Sequence, residues 1–266
     1  MTLLTTANVE TGGFGMLTTK AAGLAAVPVA LGLALTAGCD AGGGTGAVQK
    51  KATAPASAPA SPTEAANGVE RLAPAEILKR AREATAGAPS VRLKGGFKEG
   101  GDEVALDFRF AGKKRAAGTM RLGDQNIELT RIGSTVYFKG DDRFLKSIGG
   151  RSAVTLMSGK YVKTTSKDPD FAELASFSDL SDLLREMVAS AGGGWAKGAA
   201  GNVGGVPAVA LTGPDGEQVH VATRGRPYLL RLDAGPRNRL DFVEYGGRVD
   251  LRPPPPGEVI DAAELG

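Results

Sequence analysis

The chain has 266 residues, a formal charge of +3, 42% apolar and 5% aromatic residues, and a single cysteine. One cysteine excludes an internal disulfide and a cysteine-based metal site. The excess of bases is small and unclustered: the groups Lys113-Lys114-Arg115 and Arg224-Gly225-Arg226 fall where turns are expected, so the basic, aromatic-laced stripe of a nucleic-acid binder is missing.

Residues 1–15 carry no pattern, and Met16 offers a second candidate start to Met1. Lys20 followed by an apolar run at 21–35 reads as the charged and hydrophobic regions of an export signal, too short for the ~20 residues of a spanning helix. The run ends at Leu35-Thr36-Ala37-Gly38-Cys39. Small residues before a lone cysteine resemble a bacterial lipobox, with Thr36 where that pattern prefers leucine. The expectation is a signal peptide over 1–38 and a lipidated Cys39 carrying diacylglycerol and acyl chains such as palmitate. No other cofactor is expected. The protein would then sit outside the cytoplasm, anchored to the outer face of the cell membrane.

Residues 39–70 are rich in Gly, Ala, Ser, Thr and Pro and lack apolar periodicity, as a tether would. A folded domain is expected over 71–266. Pro74 opens a helix over 74–84 with Ile77, Leu78 and Ala81 on one face. Strands are expected at 90–97, 103–110, 117–122, 126–132 and 135–139, separated by Gly and Asp turns; Val104, Leu106, Phe108 and Phe110 alternate cleanly. A short strand at 161–163 precedes helices at 168–175 and 179–189, the second with Leu180, Leu183, Leu184, Met187 and Val188 at helical spacing. The stretch 192–205, which holds the only tryptophan, Trp195, reads as a flexible glycine-rich connection. Strands follow at 206–212, 218–223, 227–233, 239–245 and 248–251, the last stopped by Pro253–Pro256.

Motifs for catalysis are absent. His220, the only histidine, alternates with Val219 and Val221 on a strand and has no evident partner. No nucleophile elbow or phosphate loop is present. Asp141-Asp142 and Asp168 with Asp170 read as turn and capping acids. Nothing argues for an enzyme. What stands out is apolar surplus: Tyr228, Leu229, Leu230 and Leu232, then Leu240, Phe242, Val243 and Tyr245, occupy both parities of late strands. Either layers cover both sides of a sheet, or a curved sheet encloses an apolar cavity.

The lipobox at Cys39, Ala75-Glu-Ile-Leu-Lys79, Ser90-Val-Arg-Leu-Lys-Gly95, Gly133-Ser-Thr-Val-Tyr-Phe-Lys139, Gly159-Lys-Tyr-Val-Lys163 and the helical 177–188 segment together resemble the LppX/LprAFG family of actinobacterial lipoproteins, over about residues 70–252. The resemblance implies an α+β fold: a strongly curved antiparallel sheet, a half-barrel similar to the LolA/LolB carriers, with a few helices over its concave face. It also implies a lipid or glycolipid ligand, with an export transporter as a candidate further partner. The expected cavity lining is Phe108, Phe110, Leu180, Leu183, Leu184, Met187, Leu230 and Phe242. Two alternatives stay open: an interaction or sensor module with a solid interior, and a cell-wall enzyme built on clustered acids and hydroxyls.

Overall fold

The computed structural model describes residues 64–99, 101–189 and 194–265. The signal segment, Cys39 and the tether up to residue 63 lie outside the described residues. The end of the stretch assigned to the tether is already joined to the domain. Ala66 bridges Arg224, the Asn67 N–H donates to the Thr223 carbonyl at 2.9 Å, and Val69 is 1% exposed.

Helix α1 (Pro74–Ala86) buries Ile77, Leu78, Ala81 and Thr85. Five antiparallel strands follow: β1 (Ser90–Glu99), β2 (Asp102–Ala111), β3 (Arg115–Leu122), β4 (Gln125–Ile132) and β5 (Thr135–Gly140). Next come α2 (Asp142–Met157), β6 (Tyr161–Thr165), α3 (Ala172–Ser176) and α4 (Leu180–Ala189). A second series comprises β7 (Ala196–Val203), β8 (Val206–Thr212), β9 (Gln218–Ala222), β10 (Leu229–Asp233) and β11 (Arg239–Val243), and β12 (Val259–Asp261) comes last. All twelve strands form one sheet in the order β12-β6-β5-β4-β3-β2-β1-β11-β10-β9-β8-β7. The two series therefore join edge to edge through β1 and β11. Every pairing is antiparallel except that of β12 with β6.

At ~4.8 Å per strand a flat sheet of this size would be about 50 Å wide. Yet the inward side chains from β6 round to β8 form one apolar cluster with residues of all four helices. The sheet must curl to achieve this, so it is the expected half-barrel, open along its edges. Alternation explains the partition of side chains. One cross-strand row on the inner face runs Ile127, Met120, Leu106, Gly95, Leu240, Leu232, Val219, Leu211. The row beside it on the outer face runs Lys139, Glu128, Thr119, Asp107, Lys94, Asp241, Arg231, His220. Two glycines permit the tight inner curve. A methyl at Gly118 would lie 2.6 Å from Phe108 Cγ, and one at Gly95 (φ +138°) would strike the Arg239 carbonyl.

Four local expectations change. Helix α2, which no sequence signal announced, is capped by Asp141 Oδ1 accepting from the Phe144 N–H at 2.9 Å. It kinks at Gly149 and Gly150. The glycine-rich connection contains β7, a strand held by backbone pairing with β8, whose side chains are almost all exposed. Residues 248–251 are not a strand; the Leu251 carbonyl instead accepts from Arg115 Nη2 at 2.7 Å. The prolines after it do not end the sheet, because β12 follows them.

The mixed parity of the late strands has a specific cause. The β9–β10 register shifts between Leu229 and Arg231. Leu229 and Leu232 consequently both join the inner cluster, while Leu230 lies in a separate small cluster with Ala208 and Ala222. The backbone of Leu229, fully buried, finds partners outside the ladder: its N–H donates to Thr85 Oγ1 at 2.9 Å, and its carbonyl accepts from Tyr245 Oη at 2.5 Å. Thr85 Oγ1 and Tyr245 Oη are 3.3 Å apart, and the Tyr245 ring stacks on Tyr228 with centroids 4.0 Å apart.

Candidate functional site

The expected cavity residues are mostly core. Phe108, Phe110, Leu180, Leu183, Leu184, Met187 and Phe242 all belong to the inner cluster, whereas Leu230 packs elsewhere. Phe108, Phe110, Leu184 and Phe242 are at most 2% exposed, so the middle of the half-barrel is filled by side chains. Helix α4 covers it. Asp179 caps α4, its Oδ1 accepting the N–H groups of Ser181 (3.0 Å) and Asp182 (3.3 Å), and its Oδ2 accepts from Arg131 Nη1 at 3.0 Å. Arg131 is an inward residue of β4 with its side chain 10% exposed, so this ion pair fixes the start of α4 to the sheet.

The other end of α4 borders open space. Met187 and Trp195 face a hollow of about 90 Å³ whose floor is Phe97, Val219, Leu232 and Leu240. Its rim comes from the turn before β9 (Asp215, Glu217) and from the β10–β11 hairpin (Asp233, Asn238, Arg239). The rim is built by local hydrogen bonds. Arg239 Nε and Nη2 both donate to Asp233 Oδ2, at 3.0 and 2.8 Å, and Asp233 Oδ1 accepts the Gly235 N–H at 3.0 Å. Burial would raise the Asp233 carboxyl, but these bonds outweigh it and hold the group below the usual carboxylate range. Glu217 Oε2 accepts the Asp215 N–H at 3.0 Å, and its side chain folds over Gly213, where a methyl would collide with Oε1.

Two polar atoms distinguish this hollow. Among the described residues, the buried side-chain atoms without a hydrogen-bond partner are Trp195 Nε1 and Glu217 Oε1, and both residues line it. Natural structures rarely leave such groups unmatched. A larger depression, about 440 Å³, touches Asp107, Glu128, Lys139 and Asp141. Its charged groups are already matched. Asp107 binds Arg92, Glu128 accepts from Tyr161 Oη, Lys139 lies over the Tyr161 ring, and Asp141 accepts from Asn126. The smaller hollow is therefore the candidate site. Of the expected residues only Met187 lines it. Trp195, Glu217 and the β10–β11 hairpin were not foreseen, and a lone tryptophan beside glycines was the one signal that could have pointed there.

His220 sits on the outer face opposite Arg231. Burial, then the Arg231 charge, lowers its pKa. No set of three metal-ligating side chains is assembled among the described residues.

No protein-family model matches the chain, and no curated protein does. The fold is similar to that of LprF from Mycobacterium bovis. That solved structure is 14% identical, with a TM-score of 0.43, over 67% of this chain and 95% of its own.

Proposed function

We propose that this protein binds an acyl chain of an envelope lipid or glycolipid at the open end of its half-barrel, while acyl groups on Cys39 hold it to the outer face of the membrane. The observation that carries the reading is the apolar hollow between Met187, Trp195 and the floor of Phe97, Val219, Leu232 and Leu240. Each buried methylene contributes about 0.8 kcal/mol, so a few of them suffice for useful affinity. At about 90 Å³ the hollow is smaller than the ~300–1,000 Å³ typical of ligand pockets. A long chain therefore enters by displacing the Met187 end of α4, the end farther from the Arg131–Asp179 pair. Binding rather than catalysis fits the charged groups, since the guanidinium at the rim is committed to Asp233 and the histidine lies on the other face.

The test is expression in an actinobacterial host followed by native mass spectrometry and solvent extraction. Co-purified acyl lipid supports the proposal, and bare polypeptide in every preparation overturns it. Cys39→Ala should abolish lipidation and leave the precursor unprocessed; an unchanged membrane fraction at the processed mass would contradict the anchor. A second reading, an interaction module, draws on the filled interior around Phe108 and Phe242. Crosslinked capture of one envelope protein, without lipid, would favour it.

A further inference from the structure

Helix α2 presents a mostly basic surface to solvent. From Arg143 to Lys160 the chain carries four bases, Arg143, Lys146, Arg151 and Lys160, and no acid. All four are exposed, while Leu145, Ala153 and Met157 are buried where the helix packs on β4 and β5. The acids nearby are already engaged. Asp141 caps the helix at the Phe144 N–H, Asp142 accepts from Ser158 Oγ at 2.6 Å, and Asp124 pairs with Arg143 at 3.5 Å in a contact exposed on both sides. Lys146, Arg151 and Lys160 make no ion pair among the described residues. Beside these bases stands Leu156, 54% exposed, the most exposed large apolar side chain among the described residues. A soluble polyanion would match the bases and leave the leucine in water. An anionic lipid surface matches both, with phosphates for the bases and the acyl boundary for the leucine. We infer that α2 docks the domain on an anionic bilayer, its bases on lipid phosphates and Leu156 entering between the headgroups. The kink at Gly149 and Gly150 divides the surface into two short feet, Arg143 with Lys146 and Arg151 with Leu156. The hollow borders β1 and β9 to β11, and β2 and β3 separate these from β4 and β5 in the sheet. The docking surface is therefore distinct from it and does not rest on the acyl-chain reading.

The test uses the full chain with Cys39→Ala, so that no acyl anchor contributes, and with Ser152→Cys, whose single thiol carries a nitrobenzoxadiazole label one turn before Leu156. Vesicles of phosphatidylcholine alone are compared with vesicles of phosphatidylcholine and phosphatidylglycerol in equal parts. The apolar run at 21–35 is present in every sample, so whatever binding it adds occurs with both kinds of vesicle. The label is expected to shift to the blue with the anionic vesicles only, and to lose the shift in about 1 M salt, where the screening length is about 3 Å. Lys146→Gln with Arg151→Gln should raise the lipid concentration at half-binding about 25-fold, about fivefold for each base. Leu156→Ser alone should also raise it, and unchanged melting temperatures would show that the variants are folded. An equal shift with neutral vesicles, no shift with either, or a midpoint unmoved by the two glutamines would overturn docking by α2. A shift of the same size with soluble polyphosphate, unaffected by Leu156→Ser, would overturn the bilayer in favour of a soluble polyanion. Failure of acyl-chain binding at the hollow would leave all of these outcomes unchanged.

Discussion

Thr85→Val tests whether the β10 irregularity is held by a hydrogen-bonded circuit or only by packing. In the native fold the Leu229 N–H donates to Thr85 Oγ1 at 2.9 Å, Thr85 Oγ1 lies 3.3 Å from Tyr245 Oη, and Tyr245 Oη donates to the Leu229 carbonyl at 2.5 Å. Thr85 and Leu229 are both 0% exposed, so water cannot replace the lost oxygen. Valine keeps the shape and the branched Cβ of threonine. The loss is therefore the cost of one buried, unmatched N–H, about 1–3 kcal/mol. Urea unfolding should show a lower midpoint at unchanged slope, and melting should fall by about 2–4 °C per kcal/mol for a domain of this size. Thr85→Ser, which retains the oxygen, should lie close to wild type apart from a lost methyl. Combining Thr85→Val with Tyr245→Phe should cost less than the sum of the two, because the groups share one circuit. A valine variant as stable as wild type would refute the reasoning, since packing alone would then account for the site.

Gly118→Ala should destabilise by about 1–3 kcal/mol through overpacking against Phe108, read as a lower urea midpoint; an unchanged midpoint would mean that the inner curve has slack. Arg131→Met should cost about 3 kcal/mol by stranding the Asp179 carboxylate, with Asp179→Asn in the same chain recovering part of it in thermal melts. For His220 the folded pKa lies below the unfolded value of about 6.5. The unfolded state therefore takes up the proton first, and stability falls as pH drops from about 6.5 toward the folded value. His220→Gln should flatten the melting temperature between about pH 7.5 and pH 5.5, and an identical slope in both proteins would count against this.

What was legible in the sequence was what side-chain periodicity encodes. Strand β2 alternates Val104, Leu106, Phe108 and Phe110 because one face is buried, and its ends were placed to within a residue. Helix α1 and helix α4 showed their apolar stripes for the same reason. Strand β7 was hidden because it lies at an edge and packs almost nothing: Ala196 to Val203 contributes backbone pairing, which leaves no mark in composition. Helix α2 was hidden by Gly149-Gly150, which break its period in the middle. The misplacement of Leu230 came from a register shift between Leu229 and Arg231, and strict alternation cannot foretell it. The hollow is assembled from four distant stretches, and its distinguishing property is the lack of a partner for two polar atoms. That is a fact about three-dimensional neighbours, invisible along a line of residues.

An open sheet has two raw margins, and each invites a foreign strand to dock. At the β7 margin the register shift between Lys197 and Ala200, with a lysine at the border, spoils the template. At the β6 margin the chain uses itself. Beyond the prolines, Val259–Asp261 lies parallel against Tyr161–Lys163, and Lys163 Nζ holds Asp261 Oδ2 at 2.8 Å. The proline run thus acts as a stiff arm delivering a three-residue selvedge to a strand it could not otherwise reach. Removing this hem would bare an unfinished edge and turn a self-contained sheet into a seed for strand exchange and fibrous association.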